Sequence, residues 1–283
     1  MRALSVVKKT SSFCIRVGSR LVPASVLFRC LVAGRRVDNF FRNRGSPNIL
    51  RKAADHFYYS LRPALVETTL DGMRFTMRLN DPFHYDLILG RHETQIQDWL
   101  RENIKPGMVV FDVGANIGSY TLTLSRLVGP TGRVITIEAD PDVAAVLSLN
   151  IRANGLSQAT VVQGAAYRES RTMRLGRARA SSSYSGLYYD NPDEWIDVPA
   201  FTLDEVAGRE CLERLDLVKI DAEGAEDDVV AGMDNLLHTL RPAILVELHL
   251  WHGSATEQLP AKLERAGYCI QMLTSIHALA RPR

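Results

Sequence analysis

Asp112, Glu138, Asp221 and Glu247 each close a short apolar run, in VVFD, VITIE, LVKID and ILVE. Runs of this length read as strands buried on both faces of a parallel sheet. Glu223 follows two residues after Asp221, and His249 two residues after Glu247. Alternation along the fifth strand, Ala243 to Leu248, puts Glu247 and His249 on one face. In a doubly wound sheet the ligand lies over the carboxyl ends of the strands, so these side chains would form one acidic rim around it. Buried carboxylates are costly unless partnered, and a positively charged ligand would partner them. His249, Glu223 and Glu247 could also take a proton from a reacting hydroxyl.

The element that must position this rim is the stretch VVFDVGANIGSYTL, Val109 to Leu122. Gly114, Asn116 and Gly118 follow the first strand at every second position, and a helical stripe of Tyr120, Leu124, Leu127 and Val128 begins after them. Strand, tight turn and helix make a nucleotide pocket. Glycine permits positive φ there, and asparagine tolerates it. Glu138 stands about 20 residues beyond the turn, where a carboxylate holds a ribose diol. A dinucleotide turn would read G-x-G-x-x-G and rest a pyrophosphate on the helix. Here Asn116 takes the middle position, Ser119 and Tyr120 follow Gly118, and Asp112 ends the strand. That pattern suits S-adenosylmethionine, which carries a sulfonium and an ammonium and no phosphate.

DVGANIGSYT, IEADP, KIDAEGAE and PAILVELH, in this order, resemble the FkbM-type S-adenosylmethionine-dependent methyltransferases. The resemblance runs from roughly Leu100 to His249. It implies an α/β fold: a doubly wound, mostly parallel, seven-stranded Rossmann-like sheet whose last strand is antiparallel. With Arg283 ending the sequence, that strand is expected to be short or missing. The resemblance also implies methyl transfer to a hydroxyl of a carbohydrate, glycolipid or polyketide-type acceptor. By the same resemblance, Gly164 and Ala165 pass the adenine edge, and Glu93 matches an acidic residue ahead of the core.

The expected cofactor contacts are Asp112, Gly114, Asn116, Gly118, Glu138, Gly164, Ala165 and Asp221. The expected catalytic groups are His249, Glu223 and Glu247. His84, Glu93 and Tyr184 are placed on the acceptor side, Tyr184 within a Ser- and Tyr-rich excursion that could wall a cleft. Each has a plainer reading. Asp112 could bond loop N–H groups, Glu138 could cap the next helix beside Asp140, and His84 could be a surface histidine. Glu247 and His249 could be buried with satisfied hydrogen bonds. Glu226, Asp227 and Asp228 are assigned to the helix dipole rather than to chemistry. The carboxylates could alternatively hold a divalent ion that activates the hydroxyl, but no ligand spacing singles out a metal and no metal ligand is assigned.

Asp71-Gly72 between alternating apolar residues marks a hairpin ended by Asn80-Asp81-Pro82. A helix over Arg91 to Asn103 leads into the first core strand. Asp140 and Pro141 start a helix after the second strand. Ser170 to Ala200 reads as an excursion with a hairpin and a loop, and the stretch after Gly224 as one helix reaching Leu237. Residues 1–60 form a basic extension, and 61–283 a methyltransferase domain with the hairpin and helix (61–106) at its start. Up to Gly45 the only acidic residue is Asp38, against about ten Lys and Arg. This is an arm, a surface helix over Leu21 to Leu31 near anionic lipid, or an organelle-targeting peptide. Four cysteines without a CxxC pair fit a reducing compartment, hence the cytoplasm. No interleaved basic and aromatic patch points to nucleic acid. The rivals to a methyltransferase are a silent cofactor-binding or interaction module and a nicotinamide dehydrogenase.

Overall fold

The computed structural model describes residues 14–17, 20–23, 65–78, 81–90, 92–178, 186–188, 191–249 and 258–283. The chain divides into two compact units, Met1–Thr94 and Gln95–Arg283.

In the first unit, β1 (Cys14–Val17) pairs antiparallel with β2 (Arg20–Pro23). Leu21 to Pro23 are therefore strand where a surface helix was expected, and the rest of Leu21–Leu31 lies outside the described residues. β3 (Leu65–Leu70) and β4 (Met73–Arg78) form the expected hairpin, with Asp71 and Gly72 at φ 51° and 75°. Positive φ at both central residues is the turn that matches strand twist, which is why Asp-Gly marks it. Asp81 and Pro82 do more than end this hairpin. They start α1 (Pro82–Leu89), where the Asp81 carboxylate accepts the Phe83 N–H at 3.0 Å. Sequence reading missed this helix.

The second unit opens with α2 (Thr94–Asn103), which buries Ile96 and Leu100. There follow β5 (Val109–Val113), α3 (Ser119–Val128), β6 (Arg133–Glu138), α4 (Pro141–Ala153) and β7 (Ala159–Gln163). After β8 (Ala165–Ala166), β9 (Arg171–Arg177), β10 (Glu194–Phe201) and α5 (Leu203–Arg209) come β11 (Leu217–Ile220), α6 (Glu226–Ala231) and α7 (Asp234–His238). The chain closes with β12 (Ala243–Glu247), α8 (Leu259–Arg265), β13 (Tyr268–Met272) and β14 (His277–Pro282). Seven strands make one sheet in the order β13-β14-β12-β11-β5-β6-β7. β14 runs antiparallel to both its neighbours, and the other pairs in the sheet are parallel. This is the expected doubly wound fold, with one correction. The last strand is neither missing nor short: its six residues equal β6, because Ala278 and Ala280 bury one face against the core and Leu279 the other.

The sheet is apolar on both faces. Val110 packs with Ile96, Leu100, Tyr120 and Leu124 on one side, while Phe111 and Val113 pack with Val229, Leu236 and Leu263 on the other. Full burial of each such side chain contributes about 1.5–3 kcal/mol, so the strands are fixed in register under the rim. The excursion after β8 is a second sheet, with β9 antiparallel and β8 parallel to β10. The stretch after Gly224 is two helices rather than one. A Cβ at Gly232 would come within 2.1 Å of the Tyr167 carbonyl oxygen, and the helix breaks at this close approach. Among the described residues no helix is long and apolar enough to cross a membrane.

Candidate functional site

The turn after β5 is tied to the end of β6. The N–H groups of Gly114 and Ala115 both donate to the Ile137 carbonyl, at 3.0 and 3.1 Å. A Cβ at Gly114 would fall 1.7 Å from the Asp221 carbonyl oxygen, so glycine here permits contact between chain segments. Asn116 adopts φ 52° and Gly118 φ 96°. The backbone N–H of Asn116 donates to Glu138 Oε2 and that of Asp140 to Glu138 Oε1, each at 2.8 Å. Glu138 thus joins the turn to the next helix, while Asp140 itself caps α4. Burial raises the Glu138 carboxyl to about 7 against the pull of these two N–H groups. Its oxygens keep lone pairs for further donors.

Asp112 is fully buried on β5. Its Oδ2 accepts the Thr121 hydroxyl at 2.6 Å, and Thr121 reaches Thr136 at 2.9 Å. Its Oδ1 has no hydrogen-bond partner among the described residues. Burial raises this carboxyl, while Lys219 and Thr121 hold it down. Lys219, given no role in the sequence reading, is opposite Asp112 in the β5–β11 register and only 3% exposed. Its ammonium donates to Asp221 Oδ2 at 3.1 Å and lies 4.5 Å from the Tyr120 ring centroid. A lysine inside the apolar run LVKI was the available signal.

His249 sits just past β12, half-buried. Its Nδ1 lies 2.7 Å from Glu226 Oε1, and its Nε2 lies 3.7, 3.8 and 4.0 Å from Glu223, Glu247 and Asp221. The expected catalytic trio and Asp221 are therefore brought together. Glu226 corrects the assignment to the helix dipole alone. It is completely buried, and the same Oε1 accepts the N–H groups of Ala222 at 3.2 Å and Gly224 at 3.0 Å. Burial pulls the His249 imidazole down, but the Glu226 hydrogen bond and the charges of Glu226, Asp221 and Glu223 outweigh it and raise it to about 9. Burial and then Asp221 push Glu223 up to about 8. The two groups titrate together: the imidazolium favours the Glu223 carboxylate, and the carboxylate favours the imidazolium. Asp221, Glu247 and His249 have ligand-type atoms within 4.8 Å of one another, a grouping that could hold a metal ion once the imidazole gives up its proton.

The excursion reaches this centre. Gly186 and Gly176 exchange backbone hydrogen bonds at 3.0 Å, and a Cβ on Gly186 would lie 3.1 Å from Glu223 Cβ. Tyr188 donates its hydroxyl to Asp228 Oδ2 at 2.5 Å, and Arg168 pairs with the same carboxylate. Gly164 takes φ 145°, and Ala165, which follows it, pairs with Ala200. Tyr184 lies outside the described residues. His84 is a buried histidine of the first unit, not a surface one: Nδ1 meets the Arg78 backbone N–H at 3.0 Å, and burial lowers it. Glu93, also in the first unit, adopts φ 41° and lies 3.9 Å from His92 Nε2.

A family model described as the methyltransferase FkbM domain matches residues 112–270, more than half of the chain. The chain belongs to the FkbM methyltransferase family. The donor expected for such a domain is S-adenosylmethionine. The residues fit that donor: a buried carboxylate with an unused oxygen and a carboxylate-lined rim suit a cation. Relatives with characterised names include the AMB antimetabolite synthetase AmbE of Pseudomonas aeruginosa, 28% identical over 205 residues, which is 58% of this chain and 10% of that protein. The methyltransferase sdnD of Sordaria araneosa is 26% identical over 206 residues, 59% of this chain and 76% of that one. The solved FkbM methyltransferase of Methylobacillus flagellatus KT is 17% identical with a TM-score of 0.46, covering 70% of this chain and 54% of that one. This FkbM chain thus spans a tenth of the synthetase and about half of the solved enzyme.

Proposed function

We propose that this FkbM methyltransferase methylates a hydroxyl of a carbohydrate, glycolipid or polyketide-type acceptor, with His249 as general base. The observation that carries this reading is the His249 imidazole, held at Nδ1 by the buried Glu226 and facing a carboxylate rim through Nε2. S-adenosylmethionine supplies an electrophilic methyl group on a sulfonium, and the attacking oxygen must approach it in line. A neutral alcohol is a poor nucleophile, so Nε2 takes its proton as the new bond forms, and Glu226 stabilises the imidazolium. An imidazole at about 9 must first lose its proton, and a cationic ligand over the rim favours that loss by repulsion. Glu223 and Glu247 then orient the acceptor hydroxyl.

On the donor side, Glu138 would accept the ribose hydroxyls, Asp112 and Asp221 the ammonium, and the Gly114, Asn116 and Gly118 turn would shape the pocket beside Gly164 and Ala165. Tyr184 stays assigned to the acceptor side, whereas His84, buried against the Arg78 backbone, is withdrawn from it. Gly186 lying on Glu223 supports an acceptor wall built by the excursion. We retain residues 1–60 as a basic extension able to meet anionic lipid and place the protein in the cytoplasm. The test is incubation with labelled S-adenosylmethionine and fractionated cellular glycans and lipids, with and without EDTA, followed by mass spectrometry. Label on a hydroxyl oxygen, insensitive to EDTA, is expected; label on nitrogen, or none in any fraction, overturns the reading.

Replacing Glu138 by alanine is expected to weaken S-adenosylmethionine binding by about ten- to a hundredfold in calorimetry, since charge-assisted bonds are worth about 1.5–3 kcal/mol. Unchanged affinity would remove Glu138 from the ribose.

A further inference from the structure

We propose that Lys219 sets this site's preference between the sulfonium donor and the neutral thioether product, as a built-in cation that shares Asp112 and Asp221 with the donor. The inference rests on the rim receiving S-adenosylmethionine. Lys219 is anchored beneath that rim. Its backbone is fixed between Asp112 on β5 and Leu245 on β12 in the centre of the sheet. Its side chain is buried, bonded to Asp221 Oδ2 at 3.1 Å and capped by the Tyr120 ring. An ammonium held this firmly cannot retreat into solvent when a second cation arrives.

Methyl transfer moves CH3 from the sulfonium to the acceptor oxygen, leaves the sulfur a neutral thioether, and sends the hydroxyl proton to the base. The donor therefore carries one positive charge more than the product, and the two are otherwise alike. A fixed cation under the rim opposes the sulfonium and leaves the thioether unaffected. Specificity is a difference of affinities, so Lys219 narrows the donor's advantage over the product and makes replacement of product by donor less favourable. At an effective dielectric of about 20, two unit charges about 10 Å apart shift an equilibrium on the order of tenfold.

The test measures Kd for S-adenosylmethionine and S-adenosylhomocysteine by calorimetry in the full chain, with no acceptor present. In Lys219→Met the ratio of product Kd to donor Kd should rise about tenfold over wild type. Lys219→Arg keeps the charge and should hold the ratio within about threefold. Lys219→Gln, measured in parallel, should behave as Lys219→Met does, and it carries the test if the methionine variant fails to fold. A ratio in the neutral variants within twofold of wild type, or one that moves equally in Lys219→Arg, overturns the role of Lys219. Absence of binding of either ligand to the wild-type chain instead overturns the donor assignment beneath it.

Discussion

Replacing His249 by alanine is expected to lower turnover by about 10²–10⁴-fold while leaving S-adenosylmethionine binding no weaker. The first figure is the usual contribution of a general base. The second expectation follows because His249 meets Glu223, Glu247 and Glu226, carboxylates assigned here to the acceptor side, and its positive charge opposes the donor rather than holding it. The pH profile gives a sharper reading. The base form is the neutral imidazole, so activity rises with pH through the histidine's value. In the free protein that value is about 9, and kcat/KM for the donor should show a rising limb there. With donor bound, a second cation lowers the imidazole, so the limb in kcat should lie below it. His249→Ala should lose the limb. A variant that keeps both its rate and its limb would place the base elsewhere.

The sheet was legible in the sequence because its strands are buried on both faces. Val109 to Phe111, Val134 to Ile137 and Ala243 to Val246 are almost wholly apolar, a pattern that survives without knowledge of partners. The hairpin was legible because Asp71-Gly72 dictates its own turn. What escaped was tertiary. α1 mixes apolar and polar residues around its axis, and Asp81-Pro82, read as a stop, is also its cap and first residue. The break between α6 and α7 is set by Tyr167, which touches Gly232 from another part of the chain. At the site, Glu138 could be found by spacing, since turn and carboxylate belong to neighbouring strands joined by one helix. Lys219 could not be weighted, because its value depends on Asp112 lying opposite in another strand. His84 was misread because a polar residue gives no sign of burial until its partner, the Arg78 backbone, is known.

Glu226 is the harder case, and it carries the second large effect. Three acids open α6, and any of them satisfies the helix dipole, so sequence gave no reason to separate them. Their surroundings differ sharply. Asp227 pairs with Lys262 at 3.1 Å, Asp228 holds Tyr188 and Arg168, and Glu226 faces inward to His249. Glu226→Ala removes the acceptor that fixes Nδ1 and the charge that stabilises the imidazolium. Turnover should fall by about 10²–10⁴-fold, as it does when a histidine base loses its orienting carboxylate. The His249 imidazole should descend from about 9 toward its ordinary value, visible in a histidine NMR titration. Glu226→Gln keeps an oxygen able to accept from Ala222, Gly224 and Nδ1, so it should retain the orientation and lose only the charge, with a smaller fall in rate. Because Glu226 acts through His249, the double variant Glu226→Ala/His249→Ala should be no slower than His249→Ala alone. Losses that multiply instead would mean that Glu226 serves the reaction by a route that bypasses the histidine, and the dyad would have to be abandoned.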